Sequence, residues 1–392
     1  MSGGAQVFWD DAMIGYDFGP SHPMDPVRLE LTMRLARELG VTEVAEVVRP
    51  HAATTEEVRR VHSASMVDAV RRCSEPDSEG DLAHGLGTPD VPIFEGMHDV
   101  SSLISGATLA AARAVFAGDI AHGFSPAGGL HHAMPSSAGG FCVYNDIAIS
   151  ICDLLDSGIE RVAYVDVDVH HGDGVQTVFW EDPRVLTISL HQHPHTLYPG
   201  TGWAEDVGEG AGEGYAINVA LPPGIADDGW LRALHSVVPQ LLDAFAPQVL
   251  VTQHGCDSHR LDPLANMDLP IDAQRLAAVS LHAWAHEYAG GHWVATGGGG
   301  YAIVDVVPRI WTHVMAEMAG APIAPDTAVP GPWRDFVAES LGRQAPSQMT
   351  DGSRPKVVDW SSGYDPSNPV DRAIVATRRA TFPHHGLDPE RE

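Results

Sequence analysis

Three stretches carry side chains whose types and spacing suit hydrolysis at a metal. In VAYVDVDVHHGDGVQ (162–176) an apolar run reads as a buried strand. Side chains alternate faces along a strand. Val165, Val167 and Val169 would face one way, and Asp166, Asp168 and His170 the other. Buried carboxylates are costly unless a cation or hydrogen-bond donors compensate them. Aspartate and histidine two residues apart suit zinc or another borderline divalent ion, although such pairs also cap loops or simply bond each other. GGLHHAMPSSAGGFCVYND (128–146) sets His131 and His132 between glycine-rich turns, where tandem imidazoles can carry protons near neutral pH. VTQHGCDSHRLDPL (251–264) ends a strand close to Asp257, and ATGGGGYAIVD (295–305) places Tyr301 after four glycines. Consecutive glycines cost backbone entropy, which makes sense where the main chain turns tightly or lies against a ligand.

The elements that must position these groups alternate. Strand-like runs at 161–169, 184–190, 215–221, 248–255 and 292–299 are interleaved with helical stretches at 230–246 and 272–289. Upstream, 25–41 and 99–118 have helical periodicity, the latter rich in small residues and ending near Gly118, and TTEEVRRVH carries a helix-start signal. This pattern predicts an α/β domain with a mostly parallel central sheet flanked by helices on both faces. Ligands of such sheets sit at the carboxyl ends of the strands, and Asp168, His170, His191, Asp257 and Tyr301 all fall there. From about 321 the chain turns proline-rich. We expect a catalytic domain over 1–320 and an extension over 321–392 whose last helix, near 370–382, packs on the main domain.

With 52 acidic against 23 basic residues the formal charge is −29, which argues against nucleic acid as a partner and would attract cationic ligands. The four cysteines form no C-x-x-C pair, so a structural zinc knot is not expected. The N-terminus lacks signal-peptide character and no stretch reads as a membrane span, so a cytoplasmic protein is the expectation. The sequence does not give an oligomeric state.

Together these motifs resemble the zinc-dependent histone deacetylase family, of the arginase/deacetylase fold, and within it the bacterial acetoin-utilisation type. The similarity runs from GPSHPMDPVRLE (19–30) to GGGGYAIVD and on to about 318. The resemblance implies Asp168, His170 and Asp257 as zinc ligands, with water in an open position. It implies His132 as general base and acid, His131 as its electrostatic helper, and Tyr301 as donor to the substrate carbonyl. Asp166 and Asp173 would orient His131 and His132. By the strand alternation His171 faces the other way and is not an expected ligand. Phe141, Tyr198 and Leu264 would wall a slot for an acyl-lysine chain, with Gly140 and Gly299 beside it. Asp90 would hold the substrate backbone at the rim, and Arg28 would lie in an inner cavity. The family also binds potassium. One site would use Asp166, Asp168, His170, Ser189 and Leu190; a second would use Phe179, Asp182, Val185 and Tyr215, where Asp182 departs from the uncharged residue expected.

The implied reaction is hydrolysis of an acetyl amide, most readily N-ε-acetyl-lysine in proteins or peptides. Acetylpolyamines are the alternative: the negative charge suits them, but Leu264 stands where a polyamine-preferring branch carries glutamate. Two-manganese ureohydrolase chemistry would need a further aspartate after Asp257, where Ser258 and His259 stand instead. A non-catalytic acyl-lysine-binding scaffold would be expected to have lost a ligand, a histidine or the tyrosine.

Overall fold

The computed structural model describes residues 4–391. Eight strands form one sheet: β1 (Ala5–Phe8), β2 (Glu46–Val48), β3 (His122–Ser125), β4 (Val162–Asp166), β5 (Val185–Gln192), β6 (Ala216–Leu221), β7 (Val249–Gln253) and β8 (Trp293–Thr296). Their order is β2-β1-β3-β8-β7-β4-β5-β6, and all seven pairings are parallel. Every residue of the four middle strands β3, β8, β7 and β4 is buried. Such strands are covered on both faces and read as continuous apolar runs, which is why β4 and β7 stand out in the sequence. The α/β fold class is as expected.

Register sets where the site can form. Ser125 pairs with Thr296, Thr296 with Gln253, and Gln253 with Asp166. These are the last residues of β3, β8, β7 and β4, so four adjacent strands end in one row. The chain leaves each of them into a loop bearing site residues.

Strand β4 is shorter than the sequence suggests. Asp168 and His170 lie beyond it, in a loop, and strand alternation does not place them. The Asp168 amide donates to Asp166 Oδ1 at 3.1 Å, and the His170 amide donates to Asp168 Oδ1 at 3.0 Å. Aspartate side chains that capture amides two residues on divert the backbone from a ladder into successive turns.

Helix Thr55–Val58 opens on the capping box Thr54/Glu57. Helix Met97–Ala117 has the length and hydropathy of a membrane span, so the expectation that no stretch does is corrected. About two-thirds of its most apolar window, 67%, is buried. It packs on β3 and on helix Asp146–Asp156, as a core helix does.

The segment after 320 is anchored at several places, among them Asp351, which takes His259 at 2.7 Å and Arg309 at 2.9 Å. Trp333, on helix Gly331–Leu341, is fully buried with Leu31, Leu35 and Val304, and its indole donates to the Leu31 carbonyl. Helix Pro369–Thr381 lies against β6 and helix Asp227–Phe245. There Arg232 makes a two-pronged pair with Asp371 at 2.7 and 3.1 Å, and the two side chains are 6% and 2% exposed. Its remaining donors reach the Asp359 and Gly363 carbonyls and the Ser362 hydroxyl. Removing one member of a buried pair strands the other's charge, at about 3–5 kcal/mol. Arg232→Ala is therefore expected to lower unfolding free energy by about that amount, read from the denaturation midpoint at unchanged slope. A midpoint equal to wild type would show that the pair holds nothing.

Candidate active site

Past the row of strand ends, Asp168, His170 and Asp257 converge. His170 Nδ1 lies 3.1 Å from Asp168 Oδ1 and 3.0 Å from Asp257 Oδ2. One ligand atom from each residue lies within 4.8 Å of the other two, and all three residues are buried. Both carboxylates are held by further donors. Asp168 Oδ2 accepts from the Gln253 side-chain amide at 2.7 Å and the Gly299 amide at 2.8 Å. Asp257 Oδ1 accepts from the Val169 amide at 2.9 Å. Gly299 is required here, because a Cβ would lie 2.1 Å from Asp257 Oδ2.

The charges of this cluster call for a cation. Burial works against a proton on His170, but Asp257 and Asp168 outweigh it and raise the imidazole to about 10. Burial, then the charge of Asp168, pushes Asp257 up to about 7. The proton on His170 thus stands where a metal would serve both carboxylates. Two carboxylate oxygens and one imidazole nitrogen, with a side left to the cavity, are a donor set that fits a catalytic zinc ion.

The two tandem histidines are each tied by Nδ1 to a carboxylate. His131 Nδ1 is 2.7 Å from Asp166 Oδ2, and His132 Nδ1 is 2.6 Å from Asp173 Oδ1. Each ring keeps Nε2 for other partners. Burial opposes charge on His131, but Asp166 and Asp168 prevail and raise it to about 9. Burial and then the charge of His131 lower His132 to about 4. Neighbouring imidazoles with ring centroids 4.0 Å apart are thereby driven to opposite protonation states.

His131, His132, Asp168, His170 and Tyr301 line a narrow cavity. Burial, then the charges of Asp257 and Asp168, holds the Tyr301 phenol far above its ordinary value of 10, so it stays a donor. Phe141 stands between Tyr301 and His22, with ring centroids at 5.6 and 4.5 Å. Tyr198 is 49% exposed, and its ring lies 5.1 Å from that of His132. Gly140 is packed under the His132 ring, which a Cβ would meet at 2.2 Å. The Gly140 amide donates to Asp90 Oδ2 at 2.7 Å. Leu264 is half-buried on the loop after β7. A wider hollow behind Asp173 is bounded by His171, Gln176 and Trp180 and touches none of the three ligand residues.

Other residues named from the sequence fall elsewhere. Arg28 is buried, and its guanidinium donates to the Gly298 and Gly300 carbonyls at 2.9 and 3.0 Å, bracing the glycine loop. His171 turns to Thr201 and Gln176, and His191 to Ser189 and the Gly202 carbonyl. Ser189 lies opposite Asp166 in register, with Leu190 next along β5. Phe179, Asp182 and Val185 follow one another through backbone hydrogen bonds, and the Asp182 carboxylate is taken by Arg184. The Tyr215 carbonyl accepts from Thr187.

Sequence reasoning missed four side chains that hold this arrangement. Gln253 bonds Asp168, and Tyr164 donates to Asp166 at 2.6 Å. Asp262 accepts from the Tyr301 amide at 2.8 Å. Asp146 accepts from the Gly129 and Leu130 amides and fixes the loop leading into His131. Gln253 was visible as the polar last residue of an apolar strand, and Tyr164 as the neighbour of Asp166 on one strand face. Asp262 sits in a loop and Asp146 at the start of helix Asp146–Asp156, neither with such a signal.

Comparison with known proteins agrees with this geometry. The model of the histone deacetylase domain matches residues 22–318. The acetoin utilization protein AcuC of Bacillus subtilis (strain 168) is 39% identical over 321 residues, covering 81% of this chain and 82% of its own. The protein of that name from Staphylococcus xylosus is 34% identical over 323 residues, covering 82% and 84%. That of Staphylococcus aureus (strain MSSA476) is 32% identical over 349 residues, covering 88% and 90%. The matched span includes every loop that builds the cavity, and the chain belongs to the histone deacetylase family of metal-dependent deacetylases.

Proposed function

We propose that the chain removes the acetyl group from N-ε-acetyl-lysine in proteins or peptides, releasing acetate and the free amine. The carrying observation is that His132, Tyr301, Asp168 and His170 line one narrow cavity, with Asp257 converging on Asp168 and His170 beside it. A zinc ion held by those three residues would polarise the acetyl carbonyl and acidify a water. His132 is neutral at pH 7 and takes the water's proton at Nε2, while Asp173 keeps its Nδ1 hydrogen in place. The same Nε2 then delivers the proton to the departing amine nitrogen. Tyr301 donates its phenolic hydrogen to the carbonyl oxygen as that atom gains charge. His131, kept protonated through Asp166, adds positive charge beside the developing anion. Phe141, Tyr198 and Leu264 serve as apolar walls for the lysine stem, and Asp90 with Gly140 and Gly299 shapes the rim and floor.

Structural potassium is part of this reading, for the chemistry of its ligands. Asp166, Asp168, His170, Ser189 and Leu190 would supply one oxygen cage, and Phe179, Asp182, Val185 and Tyr215 a second. We also read 1–320 as the catalytic unit and 321–392 as a brace, an assignment supported by the Trp333 and Arg232 anchors.

The charge of −29 favours a second reading, an acetylpolyamine substrate. A side-by-side assay of acetyl-lysine peptides and acetylpolyamines, with and without chelator, separates the two. Turnover of peptides, abolished by chelation and restored by zinc, is the expected result. Turnover of polyamines alone by the zinc-loaded protein would sink the proposal.

A further inference from the structure

A second group of metal-ligand side chains lies at the other end of the sheet from the catalytic loops. His122 is the first residue of β3, whereas the catalytic histidines follow that strand's last residue. His122 is 5% exposed. Its Nδ1 lies 2.7 Å from the Met318 carbonyl oxygen, an acceptor only, so Nδ1 carries the hydrogen and donates it. Nε2 therefore presents a lone pair, and it is buried with no hydrogen-bond partner among the described residues. A buried polar atom without a partner costs free energy and asks for an explanation.

Two more imidazoles pack against the His122 ring. His282 and His286 lie one turn apart on helix Ile271–Tyr288, so their side chains share a face. Their ring centroids are 4.7 and 5.1 Å from that of His122. One ligand nitrogen from each of the three lies within 4.8 Å of the other two. His282 is set up as a ligand from behind. Its Nδ1 is 3.0 Å from Glu317 Oε1, which accepts the hydrogen and leaves Nε2 as the donor atom. A carboxylate or carbonyl behind a histidine fixes the tautomer and raises ligand basicity; Glu317 and Met318 do this for His282 and His122. Trp293 stacks on His282 with ring centroids 5.2 Å apart, limiting its rotation. His286 is exposed, so solvent can reach the open side.

We infer that His122, His282 and His286 form a second metal site, which takes a borderline divalent ion of the zinc class through three imidazole nitrogens. An all-nitrogen set excludes calcium and magnesium, which want oxygen. The bound ion would cross-link the start of β3 to helix Ile271–Tyr288. A content of two zinc ions per chain would then arise from two separate sites and not from a paired-metal centre.

The competing account is that His286 merely donates a hydrogen to His282, since their Nε2 atoms are 3.1 Å apart. Equilibrium titration of the metal-free full-length protein with cobalt(II), followed by visible absorption and by bound-metal analysis, decides between them. Wild type is expected to bind one equivalent more than His286→Ala and than His282→Gln. The visible bands of that extra equivalent should be lost in both variants. His286→Ala, a change at an exposed side chain outside the catalytic cavity, should keep wild-type kcat and its circular dichroism spectrum. Equal equivalents and equal spectra in wild type and His286→Ala would overturn the site. Because the readout is a difference between two proteins with intact catalytic residues, it holds whether or not the chain is a lysine deacetylase.

Discussion

Replacing His132 with alanine is expected to lower kcat by ~10²–10⁴-fold and to leave KM and bound zinc close to wild type. His132 is not among the ligands. It contributes a proton-accepting nitrogen whose partner, Asp173 at 2.6 Å, fixes the ring by its other nitrogen. Truncation therefore removes the proton carrier without opening the metal centre. The loss should be recovered in part by imidazole added to the buffer, because the vacated ring leaves room beside the cavity. The wild-type pH profile follows from the opposed histidines. His132 has its ordinary value lowered to about 4, so it is neutral and able to accept throughout the neutral range. His131 is raised to about 9, so its charge persists through that range and is lost on the alkaline side. Part of the pull on His131 comes from Asp168, and a metal on Asp168 weakens it; the alkaline limb of the loaded enzyme should thus fall below 9. Steady-state kinetics with metal analysis test the first claim. A loss of less than about tenfold would remove His132 from the role of proton carrier.

How much of this could be read from the chain depends on what physics each residue expresses locally. Asp168, His170 and Asp257 were legible because charge at the end of an apolar strand demands compensation, and few arrangements supply it. Their backbone was not. The alternation of valine with aspartate looks like a strand through 169, yet Asp166 and Asp168 withdraw the amides of Asp168 and His170 from the ladder. Strand β3 reads only HGFS and lacks an apolar run of its own. It is a strand because β1 and β8 pair with it on either side. Gln253 and Asp262 act on Asp168 and Tyr301, which lie 85 and 39 positions away in the chain, so only the closed sheet reveals their work. Arg28 shows the same limit. The resemblance implies an inner-cavity place for it, and the fold adds that its donors reach the carbonyls of Gly298 and Gly300, bracing the loop before Tyr301.

That loop makes Tyr301→Phe the second large effect. Loss of one donor aimed at a developing oxyanion costs ~10²–10³-fold in kcat, about 2.7–4 kcal/mol. Tyr301 meets the conditions for such a donor. Burial and the nearby charges of Asp257 and Asp168 keep its phenol protonated far above neutral pH. Asp262 holds its backbone amide at 2.8 Å, and the Phe141 ring stands edge-on at 5.6 Å. Phenylalanine keeps the ring and its contacts, so the substitution deletes the hydrogen bond and little else. KM should change little, because the interaction strengthens only as charge builds on the carbonyl oxygen. Zinc content should equal wild type, since the phenol lies outside the Asp168–His170–Asp257 set. Parallel kinetics on an acetyl-lysine peptide and zinc analysis of the same preparations are the measurement. If the variant loses zinc, or if KM rises while kcat holds, Tyr301 acts on the ground state or on the metal, and the oxyanion role is wrong.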